Sequence, residues 1–395
     1  MAGGMRFAKR LDLVPPYLFA ELERKIEEKR RQGVDVISLG IGDPDLPTPE
    51  PVIRALRDAA ADPTTHRYPT NRGLDPFRGA IAAFYEERFG VDVDPGTEVV
   101  PVLGGKEGVA HIAFACLDPG DVALAPEPGY PPYTSGPLFA GADVHYLPVE
   151  APNAFMPDLD AIPADVAARV NLLFLNYPNN PTGAVVAPGF FDRAVEFARA
   201  HDLIVVHDNA YSEVAFDGYD PPSFLATSGA KEVGVEIFSL SKGWNMTGWR
   251  VGWVAGNADV VEEFRRLKTN LDSGMFDALQ LAGTAALTES RSFPAEMSAV
   301  YRRRRNLMIE ALAGIGLPAD PPQATPYIWV RVPDGHTSET FTELVLEEAG
   351  VVVSPGPSFG PSGEGYVRIS LTVADERLEE AASRIATSLR VQAGA

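Results

Sequence analysis

The chain has 395 residues, 45% hydrophobic and 22% charged, with 34 basic against 54 acidic side chains and a formal net charge of −20. This composition excludes a disordered chain, and no apolar run approaches the ~18 residues of a membrane span. So acidic a surface repels a phosphate backbone, which excludes sequence-independent nucleic-acid binding. A single cysteine, Cys116, excludes an internal disulfide or a cysteine-cluster metal site.

The opening MAGGMRFAKRLDLVPP lacks the long apolar stretch of a secretory signal, so a cytoplasmic location is expected. Residues 21–32 read as a charged amphipathic helix, followed by a turn at Gly33 and a strand over 36–39. From about residue 50 to 255, short apolar runs at 98–103, 121–125, 170–175, 203–207, 235–240 and 251–255 alternate with helical stretches. That alternation predicts an α/β architecture, a mostly parallel sheet covered by helices on both faces, with ligands at the carboxyl ends of the strands. Residues 258–313 read as mainly helical, and their block Arg302–Arg305 as a solvated helix face. The tail reads as strand (327–332), helix (338–349), strand (366–371) and helix (375–390), a second and smaller α+β unit. The expected division is 1–48 as an N-terminal arm and part of the small domain, 49–285 as the large domain, and 286–395 as the small domain.

Only seven lysines accompany 27 arginines, so chemistry needing a neutral amine has few candidates. Lys9, Lys25, Lys29 and Lys268 lie in charged or helical surroundings, and Lys231 in a polar loop. Lys106 stands between a strand and an apolar helix, in Leu103-Gly-Gly-Lys-Glu-Gly. Lys242 directly follows a strand, in Phe238-Ser-Leu-Ser-Lys-Gly-Trp, among apolar and hydroxyl side chains. Burial disfavours the ammonium form, which is what an amine that bonds a carbonyl requires. Two other motifs sit at strand ends, Asn176-Tyr-Pro-Asn-Asn-Pro-Thr-Gly and Val206-His-Asp-Asn-Ala-Tyr; Arg250 follows Lys242 by eight residues in Thr247-Gly-Trp-Arg-Val-Gly-Trp, and Tyr366-Val-Arg-Ile-Ser-Leu places Arg368 inside a strand of the tail. Singly each has a structural explanation, such as a turn or a surface ion pair. Their joint order is what carries weight. The six histidines show no close pair with metal-ligand spacing, and no metal is expected.

In this combination the sequence resembles the class I/II aminotransferases of fold type I, enzymes that use pyridoxal 5′-phosphate. Within that family it is similar to the LL-diaminopimelate aminotransferases through Pro15-Pro-Tyr-Leu-Phe-Ala, Leu39-Gly-Ile-Gly-Asp-Pro-Asp-Leu-Pro-Thr-Pro, Lys106-Glu-Gly and Asn270-Leu-Asp-Ser-Gly. The resemblance implies a large domain with a seven-stranded sheet, a small α+β domain, and a homodimer with shared active sites. It also implies transamination between an L-amino acid and a 2-oxo acid such as 2-oxoglutarate. Lyase, decarboxylase and oxidase chemistries share the same cofactor residues, so the motifs do not separate them. A non-catalytic regulator would need an attached DNA-binding domain, for which about 35 residues before the first strand leave little room.

By resemblance, Lys242 forms the imine with the cofactor aldehyde and Asp208 faces the ring nitrogen. Such an ion pair at ~4 Å is worth roughly 4 kcal/mol at an effective dielectric of ~20. Asn180 and Tyr211 match donors to the ring's phenolic oxygen, and Tyr130 the aromatic stacked on the ring. Gly105, Lys106, Ser239, Ser241 and Arg250 match the phosphate cradle, joined by Tyr68 from the other subunit. Arg368 matches the clamp on the substrate α-carboxylate, assisted by the Gly42 amide. Tyr17, Lys106 and Asn270 match residues that place the substrate, Tyr17 and Asn270 from the partner chain. Gly104-Gly105-Lys106 and Tyr68-Pro-Thr-Asn71 depart from the wording of that closer group. The second departure replaces an aromatic near the expected substrate entrance.

Overall fold

Apolar β-branched runs buried on both faces define the main sheet. The computed structural model describes residue 5, residues 7–13 and residues 18–389. In chain order the strands are β1 (Ile37–Ser38), β2 (Val99–Val102), β3 (Val122–Glu127), β4 (Asp143–Pro148), β5 (Val170–Leu175), β6 (Ile204–Asp208), β7 (Gly234–Ser239) and β8 (Gly252–Gly256). They are followed by β9 (Tyr327–Arg331), β10 (Val351–Val352), β11 (Ser354–Pro355) and β12 (Tyr366–Ser370). Seven of them form one sheet in the order β2-β8-β7-β6-β5-β3-β4, in which β8 alone runs against its neighbours. The sheet is therefore mostly parallel, as the alternation predicts.

The inner strands β3, β5 and β8 are almost continuously buried, so their sequences read as unbroken apolar runs. β4 lies at the sheet edge, and most of its residues keep contact with solvent. Its sequence, Asp143-Val-His-Tyr-Leu-Pro, carries too little apolar signal to mark it as a strand.

A second core gathers around β9, β11 and β12, which pair antiparallel. Met308 and Leu312 from the helix Phe293–Gly314 pack there with Ile328, Val330, Val367 and Ile369. Ile37 and Leu39 join this core, and β1 pairs in parallel with β10, so the N-terminal segment closes on the C-terminal unit. Val214 and Phe216 also pack here, although they lie within the range expected of the large domain.

The Arg302–Arg305 block is a solvated face only at Arg302 and Arg303; its second half corrects that expectation. Arg304 and Arg305 are 3% and 4% exposed. Arg304 grips Asp45 through both terminal nitrogens (2.7 and 3.0 Å) and Asp375 through Nε (2.6 Å), while Arg305 bonds Asp217 at 2.7 Å. A charge run in sequence says nothing about acidic partners that far along the chain. Asp45 belongs to the loop that contains Gly42, so this pair also fixes one wall of the cavity described below.

Arg304→Ala should cost about 3 kcal/mol, because it strands carboxylates turned toward a buried position. Denaturant unfolding at neutral pH measures it; a loss under about 0.5 kcal/mol would mean that water serves Asp45 equally well. Arg304 also holds the Asp375 carboxyl below its usual range. A carboxyl with a lowered folded-state pKa lends stability that is complete above its unfolded value and fades as pH falls through the folded one. The Arg304→Ala deficit is therefore expected to shrink in acid.

Candidate active site

The carboxyl ends of β5, β6 and β7 open onto one cavity of about 320 Å³. Asn176 follows β5, Asp208 ends β6 and Ser239 ends β7, so adjacent parallel strands deliver the three side chains to one mouth. The Ser239 hydroxyl accepts from the Ser241 amide and starts the short helix Leu240–Gly243, which carries Lys242 inward. Lys242 Nζ donates to the Gly42 carbonyl at 2.5 Å, tying this turn to the loop after β1.

Asp208 is 6% exposed, and its carboxylate accepts from the Tyr133 hydroxyl at 2.8 Å. Burial pushes its pKa up to about 6, against a smaller pull from that hydrogen bond and from His207. A buried carboxylate held by a neutral phenol suits a cationic ring nitrogen as its counter-charge.

The opposite end of the cavity suits an anion. The helix Gly105–Cys116 begins at the cavity and no side chain caps its first amides. Gly104 has φ +81°, and a Cβ there would lie 2.3 Å from Arg250 Nη2, so glycine permits the arginine's approach. Ser239, Ser241, Lys106 and Arg250 line the same end. Burial, with the neighbouring Arg250 charge, lowers the Lys106 pKa.

The third wall is built around Arg368, which is 2% exposed. It donates to Asn180 Oδ1 (2.8 Å) and the Gly40 carbonyl (2.7 Å), and lies over the rings of Tyr327 and Phe359 at 4.2 and 4.6 Å. The Asn180 amide donates to Asn176 Oδ1 at 2.8 Å, which orders the loop after β5.

Lys242, Asp208, Tyr211, Gly105, Lys106, Tyr130, Asn180, Ser239, Ser241, Arg250, Gly42 and Arg368 all line this one cavity. Tyr68 does not; it is 92% exposed. Asn270 is likewise exposed, with its amide donating to the Arg266 carbonyl. Tyr17 lies outside the described residues. Tyr133, Asn176, Tyr327 and Phe359 also line the cavity, and none of them is expected there from the sequence. Tyr133 stands three residues past Tyr130 in the same motif, and Asn176 opens the motif that yielded Asn180, so a local signal for these two exists. Tyr327 and Phe359 carry none.

Lys268 keeps the charged, helical surroundings expected of it but is buried. It is 3% exposed and donates to Glu107 and Asp272 at 2.8 Å each. Among the described residues Glu107, His111 and Asp272 also approach one another within 4.8 Å, but the ammonium of Lys268 already occupies the space between the two carboxylates.

Comparison with known proteins bears on what this cavity holds. The family model described as aminotransferase class I and II matches residues 34–385. The chain is similar to the LL-diaminopimelate aminotransferase of Moorella thermoacetica, at 54% identity over 96% of this chain and 98% of that one. The LL-diaminopimelate aminotransferase of Dehalococcoides mccartyi is 52% identical over 97% of this chain and 98% of its own. Among solved structures, substrate-bound BacF of Bacillus subtilis superposes with a TM-score of 0.95 at 36% identity, covering 99% of this chain and 100% of that one. A probable N-succinyldiaminopimelate aminotransferase of Thermus thermophilus gives 0.88 at 39% identity, covering 94% and 100%.

Proposed function

Because the chain belongs to the class I and II aminotransferases, which use pyridoxal 5′-phosphate to pass an amino group to a 2-oxo acid, we propose that its amino donor is LL-diaminopimelate or a close relative and its acceptor 2-oxoglutarate. One observation carries the site assignment: the Lys242 amine and the Asp208 carboxylate open on a single cavity whose remaining walls present Arg250 and Arg368. The donor identity rests on the similarity to the Moorella thermoacetica enzyme along nearly the whole of both chains.

When bound, pyridoxal 5′-phosphate supplies an aldehyde for the amine and a ring that draws electron density from the substrate Cα. The residues present fit it, with a buried anion at one end of the cavity and uncapped helix amides with an arginine at the other. Gly105, Lys106, Ser239, Ser241 and Arg250 would hold the phosphate. Asp208 would keep a proton on the ring nitrogen, while Tyr130 would cover the ring face. Tyr211 and Asn180 would donate to the phenolic oxygen. Arg368 would take the α-carboxylate in its fork, with the Gly42 amide beside it. Lys242 Nζ would take the proton from the substrate Cα as a free amine and, as an ammonium, would pass it on away from that carbon.

Two copies of the chain would complete the site. Tyr68, Leu271 and Phe276 are exposed large side chains of the kind that subunit contacts cover, and Asn270 is exposed beside Leu271. Tyr68, Asn270 and Tyr17 would then serve the neighbouring cavity. No helix among the described residues is long and apolar enough to cross a membrane, and a cytoplasmic location is part of the same reading.

A panel of amino donors with 2-oxoglutarate tests the proposal. LL-diaminopimelate is expected to give the highest kcat/KM, with one glutamate formed per donor consumed. Should it be inert while other amino acids react, the donor assignment fails and the family membership stands.

A further inference from the structure

Tyr327 opens β9, two positions before Trp329, which pairs with Arg368 on β12. It is 2% exposed and lines the cavity. Its hydroxyl is 3.1 Å from that of Tyr211, with the two rings edge to face. The Arg368 guanidinium lies over its ring at 4.2 Å. On the remaining side it crowds Gly42, where a Cβ would lie 2.1 Å from the Tyr327 hydroxyl. The Gly42 carbonyl is also the acceptor for Lys242.

We propose that Tyr327 is a positioning residue joining the two ends of substrate recognition: its hydroxyl donates to the Tyr211 oxygen, and its ring supports the carboxylate-binding face of Arg368. The inference rests on the family reading, in which Tyr211 gives its own proton to the cofactor's phenolic oxygen. A hydroxyl that donates outward has its lone pairs left to accept, and Tyr327 is the hydroxyl placed to fill one. The 3.1 Å contact allows either hydroxyl to donate, and the outward donation of Tyr211 leaves Tyr327 as the donor between them. Burial alone would raise the Tyr327 pKa, but Lys242 and Arg368 pull it below the usual value, with Asp43 opposing. Burial, and Tyr327 itself, push Tyr211 well up; Arg368 opposes them, and Asp208 adds to the rise. Tyr133 is the other titratable neighbour of Tyr211. A chain of donors polarises along its length, so Tyr211 becomes a stronger donor into the cavity than it would be alone.

Two variants separate the hydroxyl from the ring. Tyr327→Phe keeps the ring beneath Arg368 and removes the donor. Stabilisation of the anionic phenolic oxygen weakens, so the pH midpoint of the holoenzyme's visible absorbance should move alkaline by roughly half a unit to one unit. The KM for L-glutamate, read from bleaching of the same band in the half-reaction, should stay within about two-fold of wild type, because the support of Arg368 is intact. Tyr327→Leu removes both features and should add a rise in that KM of roughly ten-fold. A wild-type titration midpoint in Tyr327→Phe overturns the hydroxyl link, and a wild-type KM in Tyr327→Leu overturns the ring link. The family reading fails on a different result, a wild-type protein that develops no visible band with pyridoxal 5′-phosphate.

Discussion

Lys242→Ala is expected to abolish transamination, lowering kcat by at least about 10⁴-fold, and to remove the visible absorbance that follows incubation with pyridoxal 5′-phosphate. The proton at the substrate Cα needs a base on the same face as the bond to be broken, and Lys242 is the amine that a strand end and a serine-capped turn deliver there. Lys106 lines the same cavity but sits at the anion end, beside Arg250, where the resemblance gives it the phosphate rather than the Cα proton. Steady-state kinetics and an absorption spectrum read both effects. Turnover within ten-fold of wild type would remove Lys242 from the chemistry altogether.

Asp208→Asn should slow the reaction about 10³-fold while leaving cofactor binding measurable. The loss is that of one ion pair worth roughly 4 kcal/mol at ~4 Å and an effective dielectric of ~20. An amide of nearly the same shape keeps the Tyr133 contact, so the variant changes charge rather than packing. Stability supplies the control. Burial places the Asp208 pKa at about 6 in the protein alone, above the ~3.9 of an unfolded aspartate. A raised carboxyl pKa means that the protein without cofactor loses stability as pH climbs between those values. Asp208→Asn removes that loss, so its thermal midpoint at pH 8 without cofactor should equal or exceed that of the parent. A variant that is slow but not less stable locates the defect in the chemistry; unchanged kcat would deny Asp208 an electronic role.

Both residues are legible in the sequence because each sits immediately at the carboxyl end of a strand whose apolar run is conspicuous. Asn180, Ser239 and Ser241 likewise stand within a few residues of the carboxyl ends of β5 and β7, and Arg250 just precedes β8. Tyr327 shows the opposite case. It begins a strand like any other aromatic in a core, and its meaning comes from Tyr211, 116 positions earlier in the chain, and from Arg368 on the neighbouring strand. Lys268 and Arg304 resemble solvated charges in the sequence and are buried in the fold, because the carboxylates that neutralise them arrive from distant segments.

The sequence by itself determined the mostly parallel sheet, through the alternation of β-branched runs with helices, and marked the candidate reactive groups, through residue types placed at strand ends. Both are local properties, since strand propensity and the position of a side chain just past a strand depend on near neighbours along the chain. The tertiary structure decided which charges are buried, which aromatic rings flank Arg368, and how Gly42 meets Lys242. Those depend on side chains far apart in sequence whose approach is set by packing, where a buried charge or hydroxyl is tolerated only if a partner from elsewhere in the fold meets it.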